Sequence, residues 1–319
     1  MRERGVKRWR NVCQVAISVM DMDETVAFYE ALGYRQAGGT DNLRGPVVSK
    51  IQDYRGVRGR LRWMNDDFPG FQLEFFQYEN PPARPMARDA GPCDIGYRRM
   101  GVWVADFDGV LLRLKARGIP LVSQPKTFEG RRRACIRDPN GVYLEVMEDK
   151  ILLSPTEENR DSAQDHTIRT QTLTLSVPDL EQAERYFEGL LGMERMDGTL
   201  HTPEMEAMWG LEGAETRTTL LRCDQFLLEL VEYLSPRGKA RPPDERIGDA
   251  GIWHFALWFR KGRYVKQAYQ EARRAGHSSY SSPLSLGLVS AVYMKTDQGF
   301  SVEYFYAPRL AARLFGFRS

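Results

Sequence analysis

The feature that most limits how this chain can fold is an internal duplication. Residues 14–34 read QVAISVMDMDETVAFYEALGY and residues 172–193 read TLTLSVPDLEQAERYFEGLLGM. Each is an alternating strand, an acidic turn and a helix that closes on Leu-Gly. Asp21 and Asp179 lie 158 positions apart, and the same offset joins Gly118 to Gly276, Pro125 to Pro283, Gly141 to Gly299 and Glu145 to Glu303. Between these landmarks, FQLEFFQY (71–78) aligns with FLLELVEY (226–233), and GYRRMGVWV (96–104) with GIWHFALWF (251–259), at an offset of 155. A three-residue deletion in loop-like sequence, later recovered, accounts for the change. Landmarks kept at fixed spacing mark duplicated supersecondary units. The polar tract EDKILLSPTEENRDSAQDHTIR (148–169) falls between the copies and reads as a linker.

Each copy divides again. In VCQVAISV, Cys13, Val15, Ile17 and Val19 fall on one strand face and Gln14, Ala16 and Ser18 on the other. Asp21 has the position of a helix N-cap, and Met22, Thr25, Tyr29 and Leu32 follow on one helical face. The second copy repeats this with Leu180, Ala183, Phe187 and Leu191. Further along, DFDGVLLRLKARG predicts a helix through Val110, Leu111 and Leu114 that ends at Gly118, followed by the turn DPNG and the strand VYLEVME. The chain therefore reads as four strand–helix–strands modules in an α+β arrangement. Its 319 residues are long for one core and agree with two domains.

Charge narrows the partners. Lys and Arg number 45 against 43 Asp and Glu, a net of +2, which gives no electrostatic reason to expect nucleic acid. No run approaches the roughly 18 apolar residues of a membrane span. The start, MRERGVKRWRNVC, is basic, but its apolar stretch is too interrupted for a secretory signal. Cys13, Cys93, Cys135 and Cys223 lack CxxC or zinc-knuckle spacing, so they read as reduced, buried small hydrophobes of a cytoplasmic protein.

The segments VAISVMDMDETVAFYEALGY, FQLEFFQY, GYRRMGVWVADFD and GRRRACIRDPNGVYLEVME, with their second-copy counterparts, resemble the vicinal oxygen chelate (VOC) superfamily. That superfamily takes in glyoxalases, extradiol dioxygenases, epimerases and bleomycin-resistance proteins. The resemblance covers nearly the whole chain outside the termini and the linker. It implies four βαβββ modules forming two tandem glyoxalase-like (VOC) domains with curved mixed sheets, at 1–150 and 168–319, with 151–167 as the linker. It is strong for fold and weak for chemistry, because such folds host many reactions.

In that family metal ligands sit early in the first strand and late in the last strand of paired modules. Carried over, the first module offers Gln14 and Glu74, the second Arg99 and Glu145, the third Thr172 and Glu229, and the fourth His254 and Glu303. If neighbouring modules pair, one cleft holds Arg99, which can never donate to a cation. The other then holds Thr172, Glu229, His254 and Glu303. If the first module pairs with the fourth, Gln14, Glu74, His254 and Glu303 gather in one cleft and match the ligand sphere of glyoxalase I. Arg99 and Thr172 then fall in a metal-free sister cleft. Segregation of the good ligands favours this crossed pairing. Plainer readings stand beside it: Gln14 as a satisfied amide, His254 as a core histidine between Trp253 and Phe255, and Glu145 and Glu303 on solvated strand faces. Against these, burying several carboxylates together is costly unless a cation or a proton neutralises them. His166, His201 and His277 fall in the linker, in a loop and just past a helix-ending glycine, and are expected at the surface.

The implied cofactor is one divalent ion; zinc, manganese, nickel, cobalt and iron(II) are not separable by this donor set. The implied chemistry is a metal-dependent isomerase, epimerase or lyase that works through a chelated enolate or enediolate, with Glu303 or Glu74 as general base. Strand alternation sets Phe76, Trp258 and Phe305 beside the ligands, which points to a small aromatic or apolar substrate. Arg99 is the candidate anchor for an anionic group in the sister cleft. The alternative is a metal-free small-molecule-binding protein of bleomycin-resistance type; an extradiol dioxygenase fits less well, since only one histidine holds a ligand position. Four modules in one chain make a monomer sufficient, while an exposed module edge leaves a homodimer open.

Overall fold

The computed structural model describes residues 8–151, 167–286 and 288–318. The first module runs β1 (Trp9–Ser18), α1 (Met22–Leu32), β2 (Arg35–Arg44), α2 (Pro46–Ile51), β3 (Arg58–Asn65) and β4 (Gln72–Asn80). The second runs β5 (Gly96–Val104), α3 (Phe107–Ala116), β6 (Lys126–Phe128), β7 (Arg131–Arg137) and β8 (Tyr143–Met147). The third begins with β9 (Ile168–Ser176) and α4 (Leu180–Glu184), which continues as a π-helical turn (Arg185–Leu190). It goes on through β10 (Glu194–Met196), α5 (Pro203–Glu206), β11 (Glu215–Arg222) and β12 (Leu227–Ser235). The fourth comprises β13 (Gly251–Phe259), α6 (Gly262–Arg274), β14 (Ser278–Ser279), β15 (Leu284–Leu286), β16 (Val289–Lys295) and β17 (Ser301–Tyr306). A short helix, α7 (Arg309–Ala312), follows it. Among the described residues no helix is long and apolar enough to cross a membrane.

The local signals act as their chemistry requires. Asp21 accepts from the Glu24 amide and Asp179 from the Gln182 amide, so each carboxylate satisfies a donor that a helix start leaves open. Gly33 ends α1 at φ 120°, a backbone setting that side chains resist. Met22, Thr25, Tyr29 and Leu32 are all buried on α1. Leu180, Ala183, Phe187 and Leu191 are buried too, at the same helical spacing. The π-helical turn widens the register, with the Leu191 amide reaching back to the Tyr186 carbonyl. On α3, Val110 and Leu114 are buried and Leu111 is only half-buried.

The modules pair across the halves. One sheet has the order β14-β16-β17-β13-β1-β4-β3-β2, with β15 added on β16; the other has the order β10-β11-β12-β9-β5-β8-β7-β6. Antiparallel β1–β13 joins the first module to the fourth, and antiparallel β5–β9 joins the second to the third. The crossed arrangement is the one that forms. Each sheet is mixed: β4 and β17 in the first, and β12 and β8 in the second, run parallel to the central strands beside them.

Alternation then divides the faces. Val15, Ile17, Phe75 and Phe255 from one sheet share a single buried core with Val102, Leu144, Leu173 and Leu230 from the other. The opposite faces of the same strands line two separate clefts. One expected position differs: a register shift between Val12 and Gln14 rolls Cys13 to the cleft side, where it packs with Ala256, Trp258 and Phe305. All four cysteines are free and buried. Phe255 meets Tyr97 of the second module at 6.0 Å and Phe187 of the third at 6.1 Å, so one ring ties three modules together. Phe255→Ala should therefore cost about 3–5 kcal/mol, and urea unfolding should show both sheets losing stability in one transition.

Candidate metal centre

The first cleft is organised by two alanines. Ala16 pairs with Glu74 on one side and His254 on the other, while Ala256 pairs with Gln14 and Glu303. Paired residues point to the same sheet face, so four polar side chains surround two methyl groups. All four are buried. One ligand atom from each of Glu74, His254 and Glu303 lies within 4.8 Å of the others. Gln14 shares this face, across Ala256 from Glu303.

The electrostatics of this cluster are unresolved internally. His254 Nε2 lies 3.3 Å from Glu303 Oε2, yet neither ring nitrogen has a partner in hydrogen-bond geometry. Burial pushes the imidazole down to about 4, so it is neutral, with a lone pair to give. Burial also pushes both carboxyls up, and the negative charge of Glu303 pushes Glu74 further. Trp63 steadies Glu74 by donating its indole N–H to Oε1 at 2.9 Å. A neutral imidazole with orphaned nitrogens and two carboxyls short of positive charge is a donor set that fits a divalent cation.

The second cleft repeats the layout with other residues. Gly101 pairs with Thr172 and Glu145, and Thr174 pairs with Glu229 and Arg99. This cleft is filled by the protein's own cations. His201, from the loop before α5, places Nδ1 2.6 Å from Glu229 Oε2 and Nε2 3.0 Å from Glu145 Oε2. Burial alone would push this imidazole down, but Glu229 and Glu145 override it and raise it to about 9, so it is an imidazolium. Glu229 pays for its burial with that ion pair and is held down to about 2. Arg99 forks onto Glu206 at 2.9–3.0 Å, and the Tyr233 hydroxyl donates to the same carboxylate. Arg133 adds a contact to Glu145 at 3.3 Å.

Three sequence expectations are corrected by these positions. His201 is not at the surface; it is 3 % exposed and bridges two carboxylates. His277 is buried as well, edge-on to Tyr186 at 4.7 Å, because the chain turns inward past Gly276. Arg99 does not face an open cleft: it is 1 % exposed, and Glu206 takes both terminal nitrogens of its guanidinium inside the fold. His166 lies outside the described residues. Charge counting carried a signal for His201: Glu145 and Glu229 are two acids beside one arginine, which leaves a positive charge to be found elsewhere. Phe76, Trp258 and Phe305 do line the first cleft, each against another aromatic ring: Phe76 on Tyr78 at 5.8 Å, and Trp258 and Phe305 6.1 Å apart.

Residues 12–146 match the model of the Glyoxalase/Bleomycin resistance protein/Dioxygenase superfamily. Glyoxalase I from Zea mays is similar in fold, with a TM-score of 0.62 at 15% identity over 93% of this chain and 92% of that one. A protein from Bacillus subtilis described as a proposed dioxygenase superposes with a TM-score of 0.63 at 16% identity, over 95% of this chain and 87% of that one. No curated protein matches the sequence.

Proposed function

Residues 12–146 belong to the Glyoxalase/Bleomycin resistance protein/Dioxygenase superfamily, and from that premise we propose a divalent-metal-dependent enzyme of glyoxalase type. It acts as a lyase, isomerase or epimerase on a small aromatic or apolar substrate, moving a proton on the carbon next to a carbonyl. The observation that carries this reading is the buried Glu74–His254–Glu303 cluster with its orphaned imidazole. Gln14, Glu74, His254 and Glu303 would hold the ion. A divalent ion bound there supplies Lewis-acid polarisation of a substrate oxygen.

The remaining work falls to the chain's own groups. Glu74 and Glu303 are the two carboxyl groups of the cluster, and one of them serves as the general base. Because the Trp63 N–H fixes Glu74, Glu303 is the better placed to take the substrate proton and return it. Trp258 and Phe305 keep bulk water from the apolar end of the cleft. The sister cleft, with its acids already neutralised by His201 and Arg99, takes no ion and serves as structure.

Elemental analysis after gentle purification should find about one divalent ion per chain, and a chelator should lower the melting temperature in a way that added ion reverses. The competing reading, a metal-free binding module, predicts no ion and no response to the chelator. That result would overturn the proposal.

A further inference from the structure

The sequence RLAARLFGF (309–317) sets two phenylalanines around one glycine at the end of the fold. α7 is only four residues long and runs into a 3-10 turn (Arg313–Phe315); Leu310 on the helix and Leu314 on the turn point outward, 81% and 80% exposed, so those side chains do little to hold the segment down. Gly316 then takes φ 78°, and a Cβ there would stand 3.1 Å from the Ala37 carbonyl oxygen. This turn aims the two rings back into the first cleft. Phe317 is 4% exposed and packs on Trp258 at 4.8 Å and Phe305 at 5.9 Å. Phe315 meets Trp63 and Phe305, each at 6.0 Å. Trp63 is the residue that donates to Glu74, so the rings stand one side chain away from the donor set. Asn65 donates to the Gly316 carbonyl at 2.9 Å, and Arg318 lies 3.9 Å from Asp67.

We propose that Arg309–Phe317 is a displaceable plug that fills the aromatic subsite of the first cleft with Phe315 and Phe317, and that the ligand admitted when it lifts carries an aromatic ring in their place. This rests on the reading of the first cleft as the functional one. The walls of the subsite, Trp63, Trp258 and Phe305, are rings that prefer edge-on and tilted aromatic neighbours, which is how the plug meets them. A tethered ring competes with a free one at high effective concentration, so the docked plug lowers the apparent affinity for any aromatic ligand by the fraction of time the cleft stands open.

Indole is the probe, titrated into the parent, the double variant Phe315→Ala/Phe317→Ala and Gly316→Ala, with binding read by calorimetry. Gly316→Ala keeps both rings and disturbs only the turn that docks them, so tighter binding there comes from undocking. Both variants should bind indole about tenfold more tightly than the parent. Unchanged binding in both overturns the plug. Tighter binding in the double variant alone also overturns it, because the rings would then be a fixed wall whose removal leaves a hole. Cobalt(II) retention in the same samples separates this result from the metal reading. Tighter indole binding without retained cobalt keeps the plug and removes the ion; retained cobalt with unchanged indole binding does the reverse.

Discussion

His201→Ala should cost about 3–5 kcal/mol of folding stability, because it leaves Glu145 and Glu229 buried and without their shared cation. Urea unfolding of parent and variant side by side measures it, and pH gives the loss a signature. The folded imidazole titrates near 9, against an ordinary value of 6.5. Its contribution is therefore complete below 6.5 and disappears as pH rises through 9. Glu229, held down to about 2 from 4.5, contributes above 4.5 and loses that contribution as pH falls through 2. The network does most between those two ordinary values, so the gap between parent and H201A is widest there and closes toward alkaline pH. A gap independent of pH would mean that His201 acts by packing alone.

Glu303→Gln should move stability and ion binding in opposite directions. Without an ion, the amide removes a carboxyl whose charge burial opposes and which stands against Glu74, so the variant should melt higher than the parent. Its affinity for a divalent ion should fall by more than about 100-fold, since loss of a ligand exceeds the 10–100-fold typical of losing a ligand's outer partner. His254→Ala should lower ion affinity to a similar degree. Melting curves with and without ion, together with equilibrium dialysis, read both effects. A variant that melts lower and keeps its ion would make Glu303 a structural residue. Stability given up for a poised site is the usual mark of function.

Much of this was written in the local pattern. Alternation in VCQVAISV placed Gln14 and Ala16 on one face, and the resemblance to the VOC superfamily pointed to Glu74, His254 and Glu303 as its companions. Segregation of ligands from non-ligands favoured pairing the first module with the fourth, which is the sheet that forms. What pattern does not encode is which distant loop reaches a face. His201 comes from a loop with no periodicity, and its partners lie 28 and 56 residues away. Glu206 is 107 residues from Arg99. Cys13 changed sides because one register shift overrides strict alternation. The aromatic tail follows the last strand, where no repeat remained to read it against.

The strand order also sets a sequence of assembly during synthesis. Every strand of the second sheet lies between Gly96 and Ser235, so that sheet has all its parts while the chain is still being made. The first sheet must wait, because Trp9–Ser18 pairs with Gly251–Phe259, and such distant pairings are slow to close. The half with the internal ion pairs thus has its strands first, and its apolar face is covered only when the later half condenses on it. A ribosome halted before Gly251 would release a protein with a salt-bridged cleft and no second partner for β1, an edge open to other chains.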